Sequence, residues 1–156
     1  MQLRRDNPTF TVELREIKKK EGKQSYRNLT YENMRNYILV CGLGLIGASL
    51  AKTLKKNTKH HIMGWNRTDS VSKRALSDGV IDEIGQLENL MPKADVTIVN
   101  FYPEAIAPFI KEHKALFKKN SIVTDSCGIK TKICRELEKE DFDFYFVGAH
   151  PMAGRE

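Results

Sequence analysis

YILVCGLGLIGASLAKTLKKN, Tyr37–Asn57, is the stretch whose reading decides the fold. YILVC is a short, wholly apolar run with β-branched residues, the pattern of a strand buried on both faces. Glycines follow it directly, and then a helical stretch from about Leu45 to Lys56. The turn GLGLIG matches GxGxxG in the context that gives the motif meaning, after a strand and opening a helix. Gly42 permits the tight turn, Gly44 lets the backbone approach a pyrophosphate, and Gly47 lets the helix pack closely on the strand. The amides of the first helical turn then face the phosphates. Gly42, Leu43, Gly44, Leu45, Ile46 and Gly47 together form a candidate dinucleotide cradle.

Outward from this unit the same alternation repeats. HHIMGWN predicts a second strand and TDSVSKRALSDG a helix ending on Gly79. DVTIVNF predicts a third strand and PEAIAPFIKEHKALF a helix with Pro103 in its first turn. SIVTD is a fourth strand, IKTKICRELEKE a helix with Ile129, Ile133 and Leu137 on one face, and FYFVGAH a fifth strand. Continuous apolar strands alternating with amphipathic helices predict an α/β fold, a doubly wound parallel sheet of the Rossmann type, over residues 37–156.

Residues 1–36 read as a basic extension, with nine Lys and Arg against five Asp and Glu in a chain of net charge +6. Phe10, Val12 and Leu14 alternate with polar neighbours, which predicts a strand there, read as part of a hairpin. The extension shows neither a helix-turn-helix pattern nor basic residues interleaved with aromatic ones, so nucleic acid is not the expected partner. The uncharged run from Tyr37 to Ala51 is broken by three glycines and falls short of the roughly 18 apolar residues of a membrane span. No signal segment opens the chain. Cys41, Cys127 and Cys134 form no CxxC pair, which fits reduced thiols in a cytoplasmic protein and suggests no metal site.

In such a sheet, ligands lie beyond the carboxyl ends of the strands. At the second strand's end, where an Asp or Glu commonly holds the ribose of NAD, this chain has Asn66, Arg67 and Thr68. Asn66 does not repel a 2′-phosphate and Arg67 can pair with one, so NADP is expected in preference to NAD. Asp69 and Ser70 are candidate caps of the next helix. After the third strand, Asn100 and Tyr102 are placed to flank the nicotinamide half, and Asp125, ending the fourth strand, is counted with the cofactor groups. Lys130 falls in the first turn of a helix, where the dipole does not favour a cation. His150 is delivered at the end of the fifth strand ahead of Pro151, and an imidazole there can hydrogen-bond or deprotonate a hydroxyl. His60, His61 and His113 read as structural.

Taken together, GLGLIGASLA, DSCGIKTKI and GAHPMAGRE, in this order, resemble the prephenate dehydrogenase family, arogenate dehydrogenases included, over about residues 37–156. The resemblance implies an NAD(P)-dependent oxidative decarboxylation of prephenate to 4-hydroxyphenylpyruvate in tyrosine biosynthesis. It implies that His150 meets the ring hydroxyl and that Glu156 stands at the pocket entrance, with Lys130 and Ser126 as further candidate catalytic residues. The family's serine two positions before the motif lysine is here Gly128, so Ser126 is the neighbouring candidate to replace it. The family places its substrate between this domain and a following helical domain that also makes a homodimer. The chain stops where that domain would begin, so little turnover is expected from these 156 residues alone. A stand-alone NAD(P)-binding module or partner subunit is the competing reading. A reductase of another kind with a similar NRT loop is a third, which the HPMAG stretch disfavours.

Overall fold

The computed structural model describes residues 35–150. The expected hairpin around Phe10, Val12 and Leu14, and the candidate Glu156, lie outside the described residues. At the centre is β1, Tyr37–Cys41, whose Leu39, Val40 and Cys41 are fully buried. Around it run β2 (His61–Trp65), β3 (Glu83–Ile84), β4 (Val96–Val99), β5 (Ile122–Asp125) and β6 (Tyr145–Val147). All pairings are parallel, in the order β3-β2-β1-β4-β5-β6. That order reverses direction between β1 and β4, the place where a doubly wound sheet opens a crevice.

Alternation along the strands feeds two cores. Ile38, Val40 and Ile62 pack with Ala51 of α1 (Leu45–Asn57) and Ala75 of α2 (Asp69–Ser77) on one face. Leu39, Met63, Val99 and Val123 pack on the other face with Leu87 and Leu90 of α3 (Leu87–Leu90), Ile106 and Ile110 of α4 (Pro103–Glu112), and Ile133 and Leu137 of α5 (Thr131–Leu137). Burial on both faces is why β1 and most positions of the strands beside it are apolar. No helix of the described residues is long and apolar enough to cross a membrane.

The departures from expectation have local causes. Two-residue β3 and four-residue α3, continued by a 3-10 turn at Met91–Lys93, are too short to show a period. Helix α4 stops at Glu112, five residues before the end of the expected stretch, and His113 closes it with Nδ1 2.9 Å from the Phe109 carbonyl oxygen. Helix α5 begins only at Thr131, so Ile129 is not on its buried face but lies ahead of it, 64% exposed.

The register brings Cys41, Trp65, Val99 and Asp125 to one edge. The opposite, amino edge is stitched by carboxylates. Asp82 accepts from the Ile62 amide at 2.9 Å and pairs with Lys55, and Asp95 accepts from the Tyr37 amide at 2.9 Å and from Lys118 at 2.6 Å. Glu83 pairs with Lys93 at 2.8 Å and His61 at 2.9 Å. Burial pushes Asp82 and Asp95 up, but the hydrogen bonds and charges of Lys55 and Lys118, with those backbone amides, leave both below the ordinary carboxylate range. The hydrogen bond from Lys93 lowers Glu83 against a smaller burial effect, with His61 adding to it.

Candidate functional site

The glycine turn leaves β1 with the Gly42 amide donating to the Trp65 carbonyl oxygen at 2.8 Å. Gly42 has φ +88°, and a Cβ on it would stand 2.5 Å from the Asn100 carbonyl oxygen. Only glycine relieves both constraints. At Gly47 the constraint is contact: a Cβ there would lie 1.9 Å from the Gly42 carbonyl oxygen, so helix and turn touch backbone to backbone. Gly44 differs, since a Cβ on it would meet nothing within 4 Å. Its surface faces outward beside Leu45, which is 95% exposed. The first helical hydrogen bond runs from the Ala48 amide to the Gly44 carbonyl oxygen at 2.9 Å, and the first turn of α1 carries no acidic residue. The positive end of this 13-residue helix is therefore not neutralised from within its own first turn.

Asn66 is occupied with the turn itself. Its Oδ1 accepts from the Leu43 amide at 3.1 Å and its Nδ2 donates to the Thr68 carbonyl oxygen at 3.3 Å. Arg67, beside it, is exposed. The N-cap position of α2 is Thr68, without a side-chain cap bond, and not Asp69 or Ser70; Asp69 is instead the first helical residue, where its charge favours the helix dipole.

From β4, the Asn100 amide donates to the Cys41 carbonyl oxygen at 2.8 Å, and Nδ2 is shared between the carbonyl oxygens of Cys41 at 3.3 Å and Ile98 at 3.2 Å. That leaves Asn100 Oδ1 buried with no hydrogen-bond partner in the protein. This acceptor, next to the glycine turn, is available to a donor from a bound group or an ordered water. Tyr102, at the N-cap position of α4, is 85% exposed above it.

From β5, Asp125 is buried, accepts from the Cys127 amide at 3.0 Å and the Ala149 amide at 3.3 Å, and forms an ion pair with Lys130. Ser126 donates its amide to the Val99 carbonyl oxygen at 3.4 Å. Gly128 comes against the histidine, since a Cβ on it would be 3.2 Å from His150 Nε2. His150 thus stands on the glycine-turn edge, as expected, while His60, His61 and His113 are engaged elsewhere: His60 Nδ1 accepts from the Asn36 amide at 3.3 Å. The Asn66 brace and the buried Asp125 tie went unread in the sequence. The only hint was the D-x-x-x-x-K spacing from a strand end to a helix start.

A parallel sheet in this order, a glycine turn at its switch point, an outward helix N-terminus and an orphan acceptor beside it define a dinucleotide-binding domain of the Rossmann type. The residues fit the group: Gly44 leaves the room a pyrophosphate needs, and Asn100 Oδ1 is the acceptor a cofactor donor would satisfy. The family model described as prephenate dehydrogenase, nucleotide-binding domain, matches residues 50–156, and the chain belongs to that family. The match begins inside α1, so the glycine turn rests on its own geometry.

Among curated relatives, a prephenate dehydrogenase of Lactococcus lactis subsp. cremoris is 34% identical over 123 residues, 75% of this chain and 34% of that protein. Among solved structures, Synechocystis arogenate dehydrogenase is similar at 31% identity and TM-score 0.65, covering 76% of this chain and 42% of that one. The A. aeolicus prephenate dehydrogenase in complex with hydroxyphenyl propionate and NAD+ is similar at 27% identity and TM-score 0.68, covering 80% and 44%. The chain spans about a third of the length of the curated prephenate dehydrogenases it matches.

Proposed function

We propose that this chain is the cofactor-binding part of an enzyme that oxidatively decarboxylates prephenate, or its amino counterpart arogenate, to a 4-hydroxyphenyl product, on the route to tyrosine. The observation that carries the reading is the placement of His150 and the glycine turn on one sheet edge, in a chain whose family relatives act on these compounds. Bound NAD(P)+ supplies the hydride acceptor. The amides of Gly44, Leu45 and Ile46 are the groups that would hold its pyrophosphate, and Asn100 and Tyr102 those that would flank its nicotinamide end. In this reading His150 accepts the proton of the ring hydroxyl as that carbon becomes a carbonyl. Loss of carbon dioxide from the opposite ring carbon then completes an aromatic ring, with Lys130 and Ser126 on the adjoining loop. Turnover requires the portion of the relatives that this chain does not span, so these 156 residues by themselves turn over little substrate.

NADP is the preferred cofactor in this reading. Two features support it: Asn66 spends its carboxamide on the turn and brings no negative charge, and Arg67 is exposed beside it. Calorimetric titration with NADP and NAD tests this directly. Tighter NADP binding, weakened about tenfold or more in Arg67→Ala with NAD binding little changed, is expected if the guanidinium pairs with the 2′-phosphate. Tighter NAD binding by the parent chain reverses the preference, and absence of binding by either removes the cofactor reading.

A further inference from the structure

We propose that Asp125 is a positioning residue, a buried carboxylate that ties the loop after β5 to the end of β6 and thereby sets where His150 and Lys130 stand. This differs from a group that touches the dinucleotide, and it rests on the reading of His150 as the group that meets substrate.

Asp125 is the one carboxylate among the buried polar residues described, with its side chain fully withdrawn from solvent. A buried charge is tolerated only when it is paired and hydrogen-bonded. Here both oxygens are taken: Oδ1 by the Ala149 amide at 3.3 Å, and Oδ2 by the Cys127 amide at 3.0 Å and the Lys130 ammonium. No exposed side-chain surface remains with which to reach a ligand.

The three donors come from two separate segments, and each stands next to the candidate chemistry. Ala149 immediately precedes His150, so holding its amide orients the peptide that leads into the histidine. Cys127 immediately precedes Gly128, where a Cβ would lie 3.2 Å from His150 Nε2. The segment that approaches His150 and the segment that carries it are therefore both tied to one carboxylate. An independent contact braces the same join: Thr124 Oγ1 donates to the Val147 carbonyl oxygen at 2.6 Å. The lysine stem passes Gly148, where a Cβ would lie 3.5 Å from Lys130 Cδ, while its ammonium is held by Asp125. This explains a cation at the N-terminal end of α5, where the dipole disfavours one.

The test uses the isotopically labelled 156-residue chain and its Asp125→Asn variant. Amide exchange at Cys127 and Ala149, the imidazole Cε1–H resonance of His150, and NADP and NAD affinity are measured together. In the variant, exchange at both amides is expected to rise about tenfold or more, as local opening loses its restraint. The His150 resonance is expected to move, while affinity for either dinucleotide stays within about threefold, since no contact with it has been lost. A part that is structural only lowers the melting temperature and leaves the His150 resonance in place. If the Asn variant does not fold because Lys130 has lost its partner, the double variant Asp125→Asn with Lys130→Met, which leaves no unpaired charge, is read by the same criteria. Unchanged exchange, an unmoved His150 resonance, or a larger fall in dinucleotide affinity each overturns the proposal. Should the parent chain bind neither dinucleotide, the cofactor reading fails, while exchange and the His150 resonance still decide the tie.

Discussion

The two edges of the one sheet are built by different physics. At the amino edge, carboxylates Asp82, Glu83 and Asp95 are each answered by a lysine on a partly exposed side chain, and two of them also cap strand amides. At the carboxyl edge the chain uses backbone contact instead: Gly42 against Asn100, Gly47 against Gly42, and one fully buried carboxylate. The first arrangement closes strand ends with groups that water also solvates, and it tolerates change. The second leaves the first turn of α1 without an acidic residue and Asn100 Oδ1 without a hydrogen-bond partner in the protein, while Gly42 and Gly47 beside them sit at backbone contact distance. An edge that must only be closed can use flexible charges, whereas one that must stay open in a fixed shape needs rigid supports.

The sharpest way to break this contrast is Gly47→Ala. With a Cβ 1.9 Å from a carbonyl oxygen, helix α1 must move off the turn. A loss of about 3 kcal/mol in denaturant unfolding, at the upper end for overpacking, and no measurable dinucleotide binding are expected. Gly44→Ala separates the two properties. Nothing in the protein opposes that methyl group, and the poorer N-cap should cost only about 1 kcal/mol, while calorimetry should show affinity for NADP and NAD falling about tenfold or more as the close backbone approach is lost. Equal losses in the two variants would mean that Gly44 serves packing alone.

Asn66→Ala should be milder, removing the brace on the Leu43 amide. About 1 kcal/mol of stability and faster exchange of the Leu43 amide in hydrogen-exchange measurements are the expected results.

The amino edge gives the smallest effects and a distinct pH signature. Asp82, Glu83 and Asp95 are held below their ordinary values in the folded chain. Their contribution is therefore fully present above the unfolded carboxylate range near pH 4, and is lost as pH falls through the lower folded values. Lys118→Met should cost about 0.5 kcal/mol at neutral pH, as exposed pairs do, and should flatten the acid limb of a stability-against-pH curve. Added salt should reduce the same difference. A cost as large as that of Gly47→Ala would erase the distinction between the edges.

The sheet, the helix positions and the glycine turn were legible in the sequence because each rests on a local pattern: an apolar run, a 3.6-residue period, or a turn residue beside a strand end. Elements too short to carry a period, β3 and α3, were not legible. The period of IKTKICREL predicts a helix face that includes Ile129, whereas the helix starts only where the loop bound by Asp125 ends. Asn66 is expected at the cofactor, and the folded chain adds that its carboxamide also braces Leu43 and Thr68.

What the sequence determined by itself was thus the succession of strands and helices, the place of the dinucleotide turn, and the delivery of His150 to the same edge. Tertiary structure alone decided that Gly128 lies against His150 and that Asp125 joins Cys127, Lys130 and Ala149. The reason is separation: the Asp125 tie to Ala149 spans 24 residues and that of Leu43 to Asn66 spans 23. Such partners meet only through the register of parallel strands, which no local pattern encodes.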